Sequence, residues 1–138
     1  MKKLTIIDTD IKELLSQATT SSKVVSELEN YLNVSNRVLY LNYHNDVLVG
    51  CIGIKILKNN VIEITHLATK EAYRCKQIGS RMIAYIEKTY EPFELVAETD
   101  NDAVGFYKKY GFEIDSLGEK YPGVERFNCL KSCFCPPL

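Results

Sequence analysis

The stretch Arg74-Cys75-Lys76-Gln77-Ile78-Gly79-Ser80 places two cations, a glycine and a hydroxyl at the start of an apolar periodic segment. Residues that lead into a helix leave the first backbone N–H groups without intrahelical partners, and the positive end of the helix dipole adds to them. Gly79 permits close backbone approach, while Arg74 and Lys76 supply charge. The chemistry that fits is capture of an anion of the pyrophosphate type. An ordinary strand-to-helix turn with solvated basic residues carries the same signal, because short glycine-containing motifs recur widely. Proton-handling side chains lie on both sides of this stretch. Glu63 and His66 precede it, and Tyr107 follows within Phe106-Tyr107-Lys108-Lys109-Tyr110-Gly111-Phe112.

The elements that must position these residues follow from periodicity. Residues 4–7 read as a first strand. Asp10 caps a short helix with Ile11, Leu14 and Leu15 on one face, and Ser21 or Ser22 caps a second carrying Val24, Val25, Leu28, Tyr31 and Leu32. Alternation then takes over. Residues 38–41 run to a turn at His44-Asn45-Asp46, residues 47–57 return, Lys58-Asn59-Asn60 turns again, and 61–69 form the third strand of a meander. Ile78, Met82, Ile83 and Ile86 mark one face of the next helix, with Pro92 beyond its end. A strand, a helix from Asn101 as N-cap to Gly111 in left-handed geometry, and two more strands complete the chain. On that helix Ala103, Phe106, Tyr107 and Tyr110 face the sheet. The order β-α-α-β-β-β-α-β-α-β-β is that of an α/β sheet covered by helices.

Composition narrows the function. The chain has 138 residues, with Lys+Arg 17 against Asp+Glu 18, and reads as a single domain over 1–138 able to hold a core without metal or disulfides. Near-neutral charge speaks against nucleic-acid binding, which needs a basic excess. The apolar stretch at 4–7 is interrupted by Asp8, so a leader is not expected, and no stretch approaches the roughly 20 apolar residues of a membrane span. The expected location is cytoplasmic, with no membrane partner. Five cysteines, at 51, 75, 129, 133 and 135, are odd in number and irregularly spaced. Cys133-Phe-Cys135 lacks a second cysteine pair or a partner histidine, so no metal site is expected. A nucleotide-binding α/β domain would want a glycine-rich turn after its first strand, and residues 4–10 hold no glycine.

Taken together, the strand at 61–69, Arg74-x-x-Gln77-x-Gly79, then Asn101 and the Phe106-Tyr107-x-x-Tyr110-Gly111-Phe112 segment resemble the GNAT acetyltransferase superfamily. The resemblance covers residues 47–112, and the tail from Asp115 matches only as a final strand pair. It implies a mixed, mostly antiparallel sheet flanked by helices, and an acetyl-CoA-dependent N-acetyltransferase. One departure stands out: Gln77 occupies a position where the family pattern has glycine, and its Cβ narrows the room for phosphate without removing the N–H donors.

The resemblance also implies roles. The strand at 62–69 bulges and splays from its neighbour, and the pantetheine arm of acetyl-CoA inserts there against the backbone of Leu67 and Thr69. Backbone groups of Gln77, Ile78, Gly79 and Ser80 hold the pyrophosphate, with Arg74 and Lys76 nearby. Asn101 contacts the pantetheine arm, and Tyr107 lies near the sulfur as general acid. Glu63 matches a position where family members carry a catalytic glutamate, and Thr65 shares its face by the period of two. His66 competes as base, although strict alternation places it on the opposite face. A lysine-like amine of pKa about 10.4 is deprotonated to about one part in 2,500 at pH 7, a cost of about 4.6 kcal/mol, which is why a base is wanted. Cys75, before a helix start and among basic neighbours, reads as sensitive to oxidation rather than as a nucleophile. The alternative reading is a non-catalytic acyl-CoA-binding domain, a sensor or structural unit. The amine acceptor is not legible: peptide N-terminus, protein lysine, polyamine and antibiotic all remain open. Its pocket is expected beside the early helices and the 121–126 loop, where Glu125 and Arg126 read as an exposed ion pair. The tail at 127–138 is a candidate for packing on a second copy.

Overall fold

Alternating burial along β4 (Val61–Thr69), every second residue buried from Ile62 to Ala68, shows how this chain builds its centre. A computed structural model describes residues 1–133. The elements are β1 (Lys2–Lys3), α1 (Thr9–Leu15), α2 (Val24–Asn33), β2 (Arg37–His44), β3 (Val47–Ile56), β4, α3 (Ile78–Tyr90), β5 (Glu94–Thr99), α4 (Val104–Tyr110), β6 (Glu113–Tyr121) and β7 (Val124–Ser132). This is the expected order. The strands form one seven-stranded sheet, ordered β1-β2-β3-β4-β5-β7-β6. Every neighbouring pair is antiparallel except β4 and β5.

The two faces of the sheet carry separate cores. On one, Met82, Ile83 and Ile86 of α3 and Tyr107 of α4 pack against Ile52, Ile54, Ile62, Ile64 and Leu95. On the other, Ile11, Leu14 and Leu15 of α1 and Leu28 and Tyr31 of α2 pack against Leu39, Leu41, Cys51 and Ala68. Each fully buried aliphatic side chain stabilises the fold by roughly 1.5–3 kcal/mol before entropy is counted. Asn45 and Asp46 take φ of 51° and 65°, the left-handed pair of a tight hairpin turn, where the alternation of β2 and β3 breaks.

Several local expectations change. The first strand is Lys2–Lys3 rather than 4–7, although Leu4 N–H still donates to the Leu39 carbonyl at 2.9 Å. Asp8, not Asp10, caps α1 by accepting from Ile11 N–H at 2.9 Å. Ser21 and Ser22 lie in a 3-10 turn before α2, which has no side-chain cap. Val25 and Leu32 are exposed, so the buried stripe of α2 is Val24, Leu28 and Tyr31. Asp100 rather than Asn101 serves the start of α4, its carboxylate accepting from the N–H groups of Asp102 and Ala103 at 3.0 and 3.1 Å. In each case the side chain that reaches the free N–H groups is set by where the chain enters the helix, which ordinary cap preference does not resolve.

No helix of the described residues is long and apolar enough to cross a membrane. Cys51, Cys75, Cys129 and Cys133 are free thiols, and no metal-binding cluster occurs among the described residues. Cys135 and the end of the 127–138 tail lie outside the described residues; Phe127 to Ser132 belong to β7.

Candidate active site

Strands β4 and β5 run side by side only from Val61 to Ile64 and from Glu94 to Ala97. Beyond that the two separate, and residues 66–69 keep their ladder only with β3. The separation opens a cleft of about 1250 Å³. Along its length lie Leu67 and Thr69 of β4, Arg74, Gln77, Ile78, Gly79 and Ser80 at the start of α3, and Tyr107 of α4. Lys76 and Asn101 do not line it. The Lys76 ammonium instead sits 5.3 Å over the Tyr73 ring, and Asn101 lies exposed in the turn before α4.

The mouth of α3 has the features of an anion site. Helix α3 has no side-chain cap, so its first N–H groups stay open. Gln77 adopts φ 61°, ψ 22°, the left-handed region that glycine enters freely and other residues enter at a cost of roughly 1–2 kcal/mol. The backbone therefore takes the turn that glycine would serve, with a side chain added. Gly79 lines the cleft and also has a packing role. A Cβ there would meet the Phe106 ring at 3.2 Å, so its bareness serves the close packing of α3 against α4. Arg74 donates to the Thr69 carbonyl at 3.3 Å and to the Gln17 side chain at 2.9 Å, tying the end of β4 to the segment after α1.

Beside the cleft lies a recess of about 330 Å³ lined by Glu27, Arg37, Glu63 and Glu98; the two cavities share Ile64, Thr65, His66, Glu98 and Arg126. Glu27 is paired with Arg37 at 2.9 Å, and Glu98 with Lys120 at 2.8 Å and Arg126 at 3.2 Å. Glu63 has no ion-pair partner among the described residues. The expected Glu125–Arg126 pairing is not formed: Arg126 serves Glu98, and Glu125 accepts from Ser116.

A bulge decides which side chains meet in this recess. His66 pairs with Gly53 and Ile64 with Ile54, which leaves Thr65 as the extra residue of β4. Glu63 lies opposite Lys55, two residues from Gly53 and hence on the same face. His66 therefore shares the face of Glu63, where strict alternation puts it on the other. Its Nδ1 and the Thr65 hydroxyl both bond to the Tyr31 hydroxyl. The Tyr31 ring stands edge-on to the His66 ring and lies 4.8 Å beneath the Arg37 guanidinium. Gly53 admits this arrangement, since a Cβ there would overlap the Tyr31 hydroxyl. Arg37 Nε is buried with no partner in the described residues.

Burial sets the protonation states. It pulls His66 below its usual value, with Arg37 pulling the same way and Glu27 opposing, so the ring is neutral near pH 7. It pushes Tyr31 up to about 12, against a bond from Thr65 that lowers it. Tyr107 is likewise raised by burial and stays a phenol across the neutral range. Its hydroxyl has no hydrogen bond among the described residues, and its ring stands edge-on to Phe106 and Phe112.

Tyr31, Arg37, Glu27 and Glu98 escaped sequence reasoning. Tyr31 reads as one more apolar position on α2, and the other three stand in no motif of the sequence. Gly53, a bare residue within an apolar strand, was the one signal that a neighbour comes close.

The acetyltransferase (GNAT) family model matches residues 8–112. The probable N-acetyltransferase san of Drosophila melanogaster is 30% identical, over 81% of this chain and 67% of that protein. An aminoglycoside 6'-N-acetyltransferase solved with coenzyme A shares the fold with TM-score 0.80 at 19% identity, over 93% of this chain and 91% of the other. A GNAT family acetyltransferase from Elizabethkingia anophelis with acetyl-CoA bound gives TM-score 0.73 at 22% identity, over 95% of each chain.

Proposed function

The chain belongs to the acetyltransferase (GNAT) family, and from that premise we propose that it moves an acetyl group from acetyl-CoA to a primary amine by direct attack. The observation that carries this reading is the parting of β4 from β5 beyond Ile64 and Ala97, with the uncapped start of α3 lining the cleft that opens there. An extended pantetheine arm fits that opening as an added strand on the edge that β5 leaves at Leu67 and Thr69, where Arg74 already bonds the Thr69 carbonyl. The pyrophosphate fits the N–H groups of Gln77, Ile78, Gly79 and Ser80, with Arg74 beside them. The thioester of acetyl-CoA supplies the activated acetyl group.

The chain's own residues do the rest. Glu63, free of any ion pair among the described residues, takes a proton from the acceptor nitrogen as it attacks, a role worth about 10²–10⁴-fold in rate. Tyr107, held protonated by burial, donates to the departing thiolate. Holding both reactants in one cleft contributes further, with about 7–11 kcal/mol available in good geometry.

Isothermal titration with acetyl-CoA, followed by thiol release with a panel of amines, tests the reading. Binding with turnover that collapses in Tyr107→Phe and Glu63→Gln supports the enzyme. Binding with no turnover on any amine favours the non-catalytic acyl-CoA binder, a reading that draws on the side chain at Gln77 but leaves Glu63 and Tyr107 without a purpose.

A further inference from the structure

We infer that His66 is a second proton acceptor for the acceptor nitrogen, and that Tyr31 is the residue that positions it; the inference rests on the acetyl-transfer reading above. Proton counting asks for such a group. An ammonium R–NH₃⁺ that becomes R–NH–CO–CH₃ loses two protons. The nitrogen lone pair forms the N–C bond, the C–S bond breaks with its pair going to sulfur, and the thiolate takes one proton. One proton is released overall. Glu63 removes the first proton from nitrogen and passes it to solvent, while Tyr107 gives its own proton to the thiolate and is left as a phenolate. The second nitrogen proton needs a taker that holds it until it returns to that phenolate.

His66 stands where that taker is needed. The bulge at Thr65 turns its ring onto the face of Glu63, and the ring lines both the cleft and the recess. Nδ1 is held by the Tyr31 hydroxyl. Nε2 has no hydrogen bond among the described residues, and the ring that carries it lines both cavities. In the arrangement inferred, Nδ1–H donates to Tyr31 Oη, Tyr31 donates to Thr65 Oγ1, and the Nε2 lone pair faces the cavity. Tyr31 is itself packed on every side the contacts describe. It is buried, its hydroxyl occupies the space above Gly53, and its ring is held beneath Arg37, which Glu27 anchors. The charged groups around the ring are Glu27, Arg37, Glu63, Glu98 and Arg126. Burial and Arg37 keep the ring neutral, so the lone pair is available at pH 7.

The protein has two histidines, and His44 at the exposed end of β2 serves as internal standard. Long-range ¹H–¹⁵N spectra of the imidazoles at pH 7 are expected to show His66 neutral with its proton on Nδ1, and Tyr31→Phe to lose that fixed tautomer. Thiol-release kinetics with an accepted amine are expected to show kcat falling on the order of 100-fold in His66→Gln and about 10-fold in Tyr31→Phe, with KM for acetyl-CoA within about twofold and both variants folded by circular dichroism. A proton on Nε2, a charged ring at pH 7, or a wild-type kcat in His66→Gln overturns the inference. Failure of the underlying reading looks different: the Nδ1 tautomer is present but the wild-type protein releases thiol with no amine, and the inference then falls with the reaction rather than with the geometry.

Discussion

Gly53 leaves empty the space that the Tyr31 hydroxyl fills. The strand residue and the helix residue are far apart in sequence, yet the absence of one side chain sets the position of the other. Tyr31 in turn holds Thr65 and His66 at the point where β4 leaves β5. Gly53→Ala is expected to lose about 1–3 kcal/mol through overpacking. Tyr31→Ala should recover part of that loss, and urea unfolding of the double variant should depart from additivity. Additive losses would mean that the two residues do not meet.

Gln77 holds a left-handed conformation without being glycine. Gln77→Gly removes roughly 1–2 kcal/mol of backbone strain, while the added freedom of the unfolded chain costs about 0.4–1 kcal/mol. Thermal stability is therefore expected to stay level or rise slightly, and calorimetric titration should show tighter acetyl-CoA binding as the Cβ leaves the turn. Gln77→Val, with a β-branched side chain in the same conformation, is expected to weaken both.

The phenol of Tyr107 is raised by burial. As the acid of the reaction it should remain protonated past the point where an exposed tyrosine ionises near pH 10. The kcat profile is thus expected to show no falling limb before pH 10. Tyr107→Phe should lower kcat by about 100-fold or more while leaving the acetyl-CoA KM nearly unchanged. A large rise in KM instead would assign the residue to packing of the cleft.

His66 has a folded value depressed by burial. Below about pH 6.5 the unfolded chain takes up a proton that the folded chain declines. The contribution is present in full above that value and is lost as pH falls toward the lower folded one. Denaturant midpoints should drop across this acid window in the wild type. The slope should flatten in His66→Gln.

Much of this was legible from local pattern. The strand at 61–69, the hairpin turn at Asn45-Asp46, the face of Met82, Ile83 and Ile86, and the helix ending at Gly111 all lie where periodicity and turn chemistry put them. Leu67, Thr69, Arg74, Gln77, Ile78, Gly79, Ser80 and Tyr107 line one cleft, since each is carried by an element that its own stretch specifies. Caps were less legible. Asp8 and Asp100 each won over a neighbour of similar propensity, and entry angle rather than residue type decided between them.

The sequence by itself determined the elements, their order and the loop that opens α3, because these depend on residues within a few positions of one another. Only the tertiary structure decided the face of His66. Alternation is a local rule, and one extra residue at Thr65 reverses it. Whether that residue is extruded depends on the pairing of β4 with β3 and on the Tyr31 hydroxyl arriving over Gly53 from α2. The same holds for Gly79, whose bareness answers to Phe106 on a helix formed later in the chain. Contacts between distant elements set these outcomes, and no window of sequence contains both partners.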